Sequence, residues 1–89
     1  MKSHTTQSFR RAFSQLTAPI QKQAKVAYKS FQKDPYHPGL HFKRIHSVRP
    51  IYSVRISKDY RAVCIQSNDE FIWYWIGSHA DYDRRIKKL

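Results

Sequence analysis

The chain has 89 residues, with 17 Lys and Arg against 6 Asp and Glu, which gives a formal net charge of +11. A chain this short allows one domain, which we expect to span residues 1–89. Its longest apolar run, residues 71–76, is too short to span a membrane, and the sequence does not open with the apolar segment of a secretion signal. We therefore expect a cytosolic protein that does not bind a membrane. The basic excess indicates a polyanionic or acidic partner, with nucleic acid favoured.

Two amphipathic helices are predicted in the first third of the chain. Phe9, Phe13 and Leu16 recur at helical spacing, which predicts a short helix over residues 7–16. Pro19 suits the first turn of a second helix, which ends before the Pro- and Gly-containing segment 34–39. The two helices should form a hairpin with an apolar underside. In the second helix that underside consists of Ile20, Ala24, Ala27, Tyr28 and Phe31.

Lysines recur on the opposite face of the second helix. They are Lys22, Lys25, Lys29 and Lys33. We interpret this stripe as a solvated outer face, with docking of RNA phosphates as the alternative.

From residue 40 the apolar pattern changes to a period of two, which predicts strands over residues 40–46, 51–56, 60–66 and 71–76, with turns at 47–50 and 67–70. In the last strand Phe71, Trp73 and Trp75 alternate with Ile72, Tyr74 and Ile76, so both of its faces should be covered. Gly77 permits a change of direction, and Ser78 has the form of a helix cap before a short helix over residues 79–88. The predicted fold class is α+β: an N-terminal helical hairpin packed on an antiparallel sheet of about four strands, then a short C-terminal helix.

The hairpin between the second and third strands brings two arginines into register. If residues 57–59 form a three-residue loop, Ile56 pairs with Tyr60 and Arg55 lies across from Arg61 on the same face. Two such cations repel each other unless an anion such as phosphate lies between them. The alternative is that both point into water or pair with nearby aspartates.

His79 and Tyr82 lie at i and i+3 on the last helix, next to the strand that should pair with the one bearing Arg61. A histidine can exchange a proton near neutral pH and a tyrosine hydroxyl can donate one, which is the minimum for acid–base work on a phosphodiester. A structural role for His79 is the alternative. One cysteine and scattered histidines do not form a zinc motif, so no metal or cofactor is expected, and Cys64 is predicted to be a buried apolar thiol.

Taken together, three segments resemble the RelE/ParE superfamily of small bacterial toxins from type II toxin–antitoxin modules. They are DPYHPGLHFKRI at residues 34–45, YSVRISKDYRAV at 52–63 and WIGSHADYDRRI at 75–86. The resemblance covers nearly the whole chain and implies a RelE-like fold. Members of its ribonuclease branch cleave mRNA, often in the ribosomal A site, by attack of a ribose 2′-hydroxyl on the adjacent phosphate without a metal ion.

The resemblance also implies residue roles. His79 would be the general acid or base, Arg61 and Arg55 would hold the scissile phosphate, and Tyr82 would stand beside the leaving group. The second member of the acid–base pair is unassigned. A cognate antitoxin, acidic or amphipathic, would be the protein partner. The residues expected to contact the RNA are Lys43, Arg44, His46 and Lys58.

Two other functions compete with the endoribonuclease. One is a toxin of the ParE type, which is similar in fold but binds DNA gyrase without catalysis. The other is a basic nucleic-acid-binding module without toxicity, whose binding would depend strongly on salt. Convergence of His79, Arg61 and Tyr82 on one anion would favour the nuclease.

Overall fold

The N-terminal helices begin and end close to their predicted positions in the computed structural model, which describes residues 2–88. Helix α1 spans Gln7–Ser14 and α2 spans Ala18–Lys33, with Pro19 in the first turn of α2. The Thr6 hydroxyl accepts a hydrogen bond from the Phe9 amide and so caps α1. Within residues 2–88, no helix combines the length and apolar character needed to cross a membrane.

The sheet contains one strand more than the sequence predicted. The strands are β1 (Lys2–Thr5), β2 (Lys43–Arg44), β3 (Ile51–Ser57), β4 (Tyr60–Ser67) and β5 (Glu70–Ser78), arranged in the order β1-β5-β4-β3-β2. The additional strand, β1, pairs with β5 in parallel, so the sheet is mixed and not purely antiparallel. Because β1 is a polar edge strand held by backbone hydrogen bonds, it carries no apolar period that could have predicted it.

The strand predicted over residues 40–46 is wrong in most of its length. Only Lys43 and Arg44 pair with β3, and the segment before them forms a 3-10 turn at Pro38–Leu40. His41 then adopts a left-handed conformation with φ of 45°, which ends the turn. Leu40, which is 3% exposed, enters the core from this turn and not from a strand.

The helices α1 and α2 cover one side of the sheet, which we call the helix-covered face. Phe31 of α2 is its centre: the ring is 1% exposed and meets Trp73, Phe71 and Phe42 edge to face, with ring centroids 5.1–5.3 Å away. Helix α1 leans on β5 whereas α2 leans on β3, with little contact between the two helices. Both helices pack on this one face, so the predicted helical hairpin on the sheet is confirmed, with a gap between its two helices.

A β-bulge divides the aromatic side chains of β5 between the two sides of the sheet. Val63 pairs with Trp75 and Cys64 with Trp73, which leaves Tyr74 as the extra residue. Trp73 therefore packs on the helix-covered face, whereas Trp75 packs on the other side with Val63 and Tyr82. The prediction that both faces are covered is confirmed, but the placement of Trp75 beside Trp73 is wrong because simple alternation ignores the bulge.

The last helix, α3 (His79–Ile86), covers this second side, which we call the α3 face. Its predicted cap is present: the Ser78 hydroxyl accepts a hydrogen bond from the Asp81 amide at 3.2 Å. The Arg85 guanidinium lies 5.0 Å from the centroid of the Trp75 ring, at cation–π distance. Gly77 is part of β5 and does not form the predicted change of direction. Its missing side chain leaves room for the Trp75 indole.

Replacing Gly77 with alanine should destabilise the fold. A Cβ atom at this position would lie 2.6 Å from an atom of the Trp75 ring, so the indole would have to shift. Overpacking of this kind costs about 1–3 kcal/mol of unfolding free energy. Urea denaturation of Gly77→Ala measures the loss. Gly39→Ala is the control, since its Cβ would meet only the His37 ring at 3.4 Å. Equal stability of the two variants would contradict the role of Gly77.

Cys64 is fully buried, and burial raises the pKa of its thiol from the ordinary value of 9.0 to about 12. At pH 8.5 the native protein should therefore react with iodoacetamide at least about a hundredfold more slowly than the protein unfolded in urea. Between pH 9.0 and about 12 the unfolded chain binds fewer protons than the folded one, so its free energy of unfolding falls as pH rises. Rapid labelling of the native protein would show that the thiol is accessible.

Candidate functional site

Arg55 and Arg61 lie opposite each other in β3 and β4, as predicted. The turn between β3 and β4 differs from the predicted three-residue loop, because Ser57 pairs with Tyr60 and the turn contains only Lys58 and Asp59. A bulge at Ile56 absorbs the additional residue and preserves the arginine register. Cross-strand partners share a face, and Ser53 of the same strand contacts Tyr82, so both arginines belong to the α3 face.

Arg61 is half-buried, and one of its guanidinium nitrogens donates hydrogen bonds to the backbone of the turn between β3 and β4. Its Nη1 donates to the carbonyl oxygens of Ser57 at 2.7 Å and Tyr60 at 2.9 Å. Its Nε and Nη2 make no hydrogen bond with residues 2–88, so they can bind an anion. Burial, followed by the charge of Arg55, lowers the pKa of Arg61. Arg61 nevertheless stays protonated at neutral pH, and an anion between the two guanidinium groups would relieve their repulsion.

His79 is the first residue of α3 and lies at the same end of the sheet as this pair. Its backbone amide donates to the Asp59 carbonyl oxygen at 2.6 Å, which ties the start of α3 to the turn between β3 and β4. Its Nδ1 lies 3.3 Å from Oδ2 of Asp83, one helical turn further on. This carboxylate can orient the ring and leave Nε2, on a half-exposed side chain, to exchange a proton.

Tyr82 is close to these groups, but its hydroxyl is directed into the protein. The side chain is 3% exposed, and the hydroxyl donates to Ser53 Oγ at 3.0 Å. Its ring centroid is 5.9 Å from that of His79. The tyrosine therefore anchors α3 to β3, while its predicted place beside a leaving group remains a prediction.

The four predicted RNA-contacting residues do not form one surface. Lys43 is exposed and pairs with Ser53, on the α3 face, and Lys58 is exposed in the turn next to Arg61. Arg44 and His46 instead organise the loop at residues 47–50. Arg44 donates to the carbonyl oxygens of His46 and Val48, both at 3.0 Å. The Nδ1 atom of His46 accepts from the backbone amides of Val48 and Arg49.

Sequence reasoning missed two members of this site. Asp83 follows His79 at i+4, a helical spacing that would have identified it as the partner of the imidazole. Ser53 had no such signal, because its contact with Tyr82 joins residues 29 positions apart. The site thus brings together Arg55, Arg61 and the His79–Asp83 pair. Among residues 2–88, no three His, Cys, Asp or Glu side chains group closely enough to hold a metal ion.

Comparison with known proteins identifies similar sequences and folds. A family model described as a ParE-like toxin domain matches residues 18–84. No protein with a curated function matches the sequence significantly. A chain of the RelB–RelE antitoxin–toxin complex from Methanococcus jannaschii is similar in structure, with a TM-score of 0.73, 18% identity and coverage of 91% of this chain and 96% of that one.

Two further solved structures share this fold. YafQ from E. coli has a TM-score of 0.73 at 8% identity, covering 91% of this chain and 96% of that chain. The YoeB/ParE toxin from Agrobacterium tumefaciens has a TM-score of 0.69 at 15% identity, covering 89% and 99%. Sequence identity is low in each case, so these likenesses support the α+β fold and not a particular activity.

The hydrogen bond between Tyr82 and Ser53 should stabilise the protein measurably. Tyr82→Phe leaves the Ser53 hydroxyl buried without its partner, and we expect a loss of about 1–3 kcal/mol of unfolding free energy. Adding Ser53→Ala should cost less than the sum of the two single losses, because it removes the unpaired group. Urea denaturation of the four proteins tests this, with Tyr36→Phe as an exposed control. Strictly additive losses would show that the two hydroxyls are not coupled.

Proposed function

This chain belongs to the ParE-like toxin domain family and is a toxin of a toxin–antitoxin system, and we propose that it acts as a metal-independent endoribonuclease on mRNA in the cytoplasm. The observation that carries this proposal is the shared location of an arginine pair that makes no ion pair within residues 2–88 and a histidine–carboxylate pair on the α3 face. Its cognate antitoxin is the expected protein partner.

The proposed reaction is a transesterification within the RNA. The ribose 2′-oxygen forms a bond to the adjacent phosphorus and loses its proton, while the bond from phosphorus to the 5′-oxygen breaks and that oxygen gains a proton. The products are a 2′,3′-cyclic phosphate and a free 5′-hydroxyl. The reaction therefore needs proton transfer and stabilisation of charge on the phosphate oxygens.

The α3 face offers a group for each need. Arg55 makes no side-chain hydrogen bond or ion pair within residues 2–88, and Arg61 has two nitrogens uncommitted, so both can donate to phosphate oxygens. His79 exchanges a proton through Nε2 while Asp83 holds its Nδ1 side. Tyr82 holds α3, and with it His79, against β3 through its hydrogen bond to Ser53. We assign Asp83 as the residue that orients His79; the second member of the acid–base pair remains unassigned.

The RNA backbone is proposed to run from the turn towards β2. Lys58 and Lys43 are exposed at the two ends of this path, so each can contact a phosphate without desolvation of a buried charge. Arg44 and His46 contribute indirectly, by holding the loop at 47–50 that carries the exposed Arg49. Cleavage within ribosomes is compatible with a surface that is this open.

Inhibition of DNA gyrase is the second candidate, and one observation favours it. The Tyr82 hydroxyl is committed to Ser53 and cannot reach a substrate in this conformation, so the acid–base equipment is reduced to the His79–Asp83 pair. A toxin that only binds its target requires the basic face and no proton transfer.

Purified protein should cleave labelled mRNA, either free in the presence of EDTA or bound to ribosomes without EDTA, which would dissociate them, and should leave 2′,3′-cyclic phosphate ends. His79→Ala should lower the cleavage rate by about 10²–10⁴-fold, the usual contribution of a positioned proton-transfer group. Arg55→Ala should lower it by about 10²-fold or more, because a donor to the developing phosphorane charge is lost.

Matched control variants distinguish an effect of the candidate site from a general effect of lost positive charge. His4→Ala removes another half-exposed histidine next to a carboxylate, Glu70 at 3.5 Å, and should leave the rate within about twofold. Lys33→Ala removes one exposed positive charge and should do the same. If all four variants cleave equally, the site is wrong. If no condition gives cleavage but the protein blocks supercoiling by purified gyrase, the gyrase-binding function replaces the nuclease.

A further inference from the structure

Helices α1 and α2 lie apart on the helix-covered face and leave an apolar slot of about 470 Å³ between them. Aromatic rings of α1 form one wall, and α2 forms the other. The floor consists of small and branched side chains from β3, β4 and β5. The α1 wall includes Phe9 and Phe13, the α2 wall includes Ala27 and Phe31, and the floor includes Ala62 and Ile76. Volumes of about 300–1,000 Å³ with a mainly apolar lining are typical of sites for small ligands.

Trp73 of β5 lies on the floor of the slot and is 5% exposed. Its indole nitrogen is buried and has no acceptor among residues 2–88, so a ligand in the slot would contact the ring and not this donor. The Trp73 ring can therefore report that the slot is occupied without binding the polar end of the ligand.

The rim of the slot is positively charged. Lys25 and Lys29 are exposed, line the slot and stand one helical turn apart on α2. Neither makes a hydrogen bond or an ion pair within residues 2–88, so both ammonium groups are available to an anion. The slot therefore combines an apolar interior with a cationic entrance.

We propose that this slot binds a small amphipathic carboxylate, whose apolar body lies between α1 and α2 and whose carboxylate lies at Lys25 and Lys29. The volume lies in the range typical of small-ligand sites, whereas an α-helix with its side chains, about 10–12 Å across, would not lie wholly inside the slot. Nucleic acid is unsuitable because its charged backbone would have to enter an apolar cavity.

The site is separate from the α3 face. The floor residue Ala62 is the neighbour of Arg61 in β4, but their side chains are on opposite sides of the strand. Binding can therefore be measured without substituting any residue assigned to RNA cleavage.

Decanoate, used below its micelle concentration, is the probe, and the indole N–H resonances of ¹⁵N-labelled protein are the readout. Trp73 and Trp75 lie on opposite faces of the sheet, so they form an internal comparison once triple-resonance experiments have assigned them. Decanoate should shift the Trp73 resonance saturably with a 1:1 stoichiometry and leave that of Trp75 in place. Decanol, which has the same body without the charge, should bind at least about tenfold more weakly.

Two double variants with the same change in net charge complete the test. Lys25→Glu/Lys29→Glu should weaken decanoate binding by at least about tenfold, whereas Lys22→Glu/Lys33→Glu, on the same helix but away from the slot, should change it by less than about twofold. Equal weakening in both variants, or equal shifts of both indoles, would reduce the effect to non-specific attraction and overturn the proposal. Absence of a saturable shift would also overturn it, and would leave the slot to an apolar side chain of a protein partner.

Discussion

The candidate site depends on the packing of α3 against Trp75. The bulge at Tyr74 turns this indole to the α3 face, and Gly77 leaves the space that the ring occupies. Arg85 then lies over the ring, while Tyr82 reaches Ser53 in β3. These contacts hold the helix in one position along the sheet. His79, the first residue of the helix, is in consequence held beside the turn that ends next to Arg61.

The same strands present apolar side chains on one side of the sheet and the paired arginines on the other. On the helix-covered face the side chains are aromatic and aliphatic, with Phe31 at the centre of edge-to-face contacts. On the α3 face the strands present Arg55 and Arg61, whose mutual repulsion opposes folding. Such an unfavourable pair is typical of a functional site, where local stability is lower so that an anion can be bound. The net charge of +11 adds a general attraction for polyanions to this local arrangement.

Residues of the candidate site also hold the fold together, so activity and stability are coupled here. Arg61 closes the turn between β3 and β4 with Nη1 and leaves its other nitrogens for a ligand. Tyr82 fixes α3, and Ser78 caps it. A change at one of these positions therefore acts through geometry as well as through chemistry. Arg55 and Asp83 are less involved in the fold, which makes them the clearest probes of function. The identity to the three solved structures compared above is only 8–18%, which is consistent with a scaffold that tolerates many different surfaces.

The sequence by itself determined the helices, three of the strands and the cap at Ser78. These features follow from local periodicity and from residues close together in the chain, where the pattern and the chemistry act on the same few positions. Only the tertiary structure decided the parallel edge strand β1, the short β2, the move of Trp75 to the α3 face and the burial of the Tyr82 hydroxyl. Each of these depends on partners distant in sequence: β1 on the backbone of β5, Trp75 on a bulge opposite β4, and Tyr82 on Ser53. Such contacts leave no periodic signal, because their free energy appears only when the whole sheet is assembled.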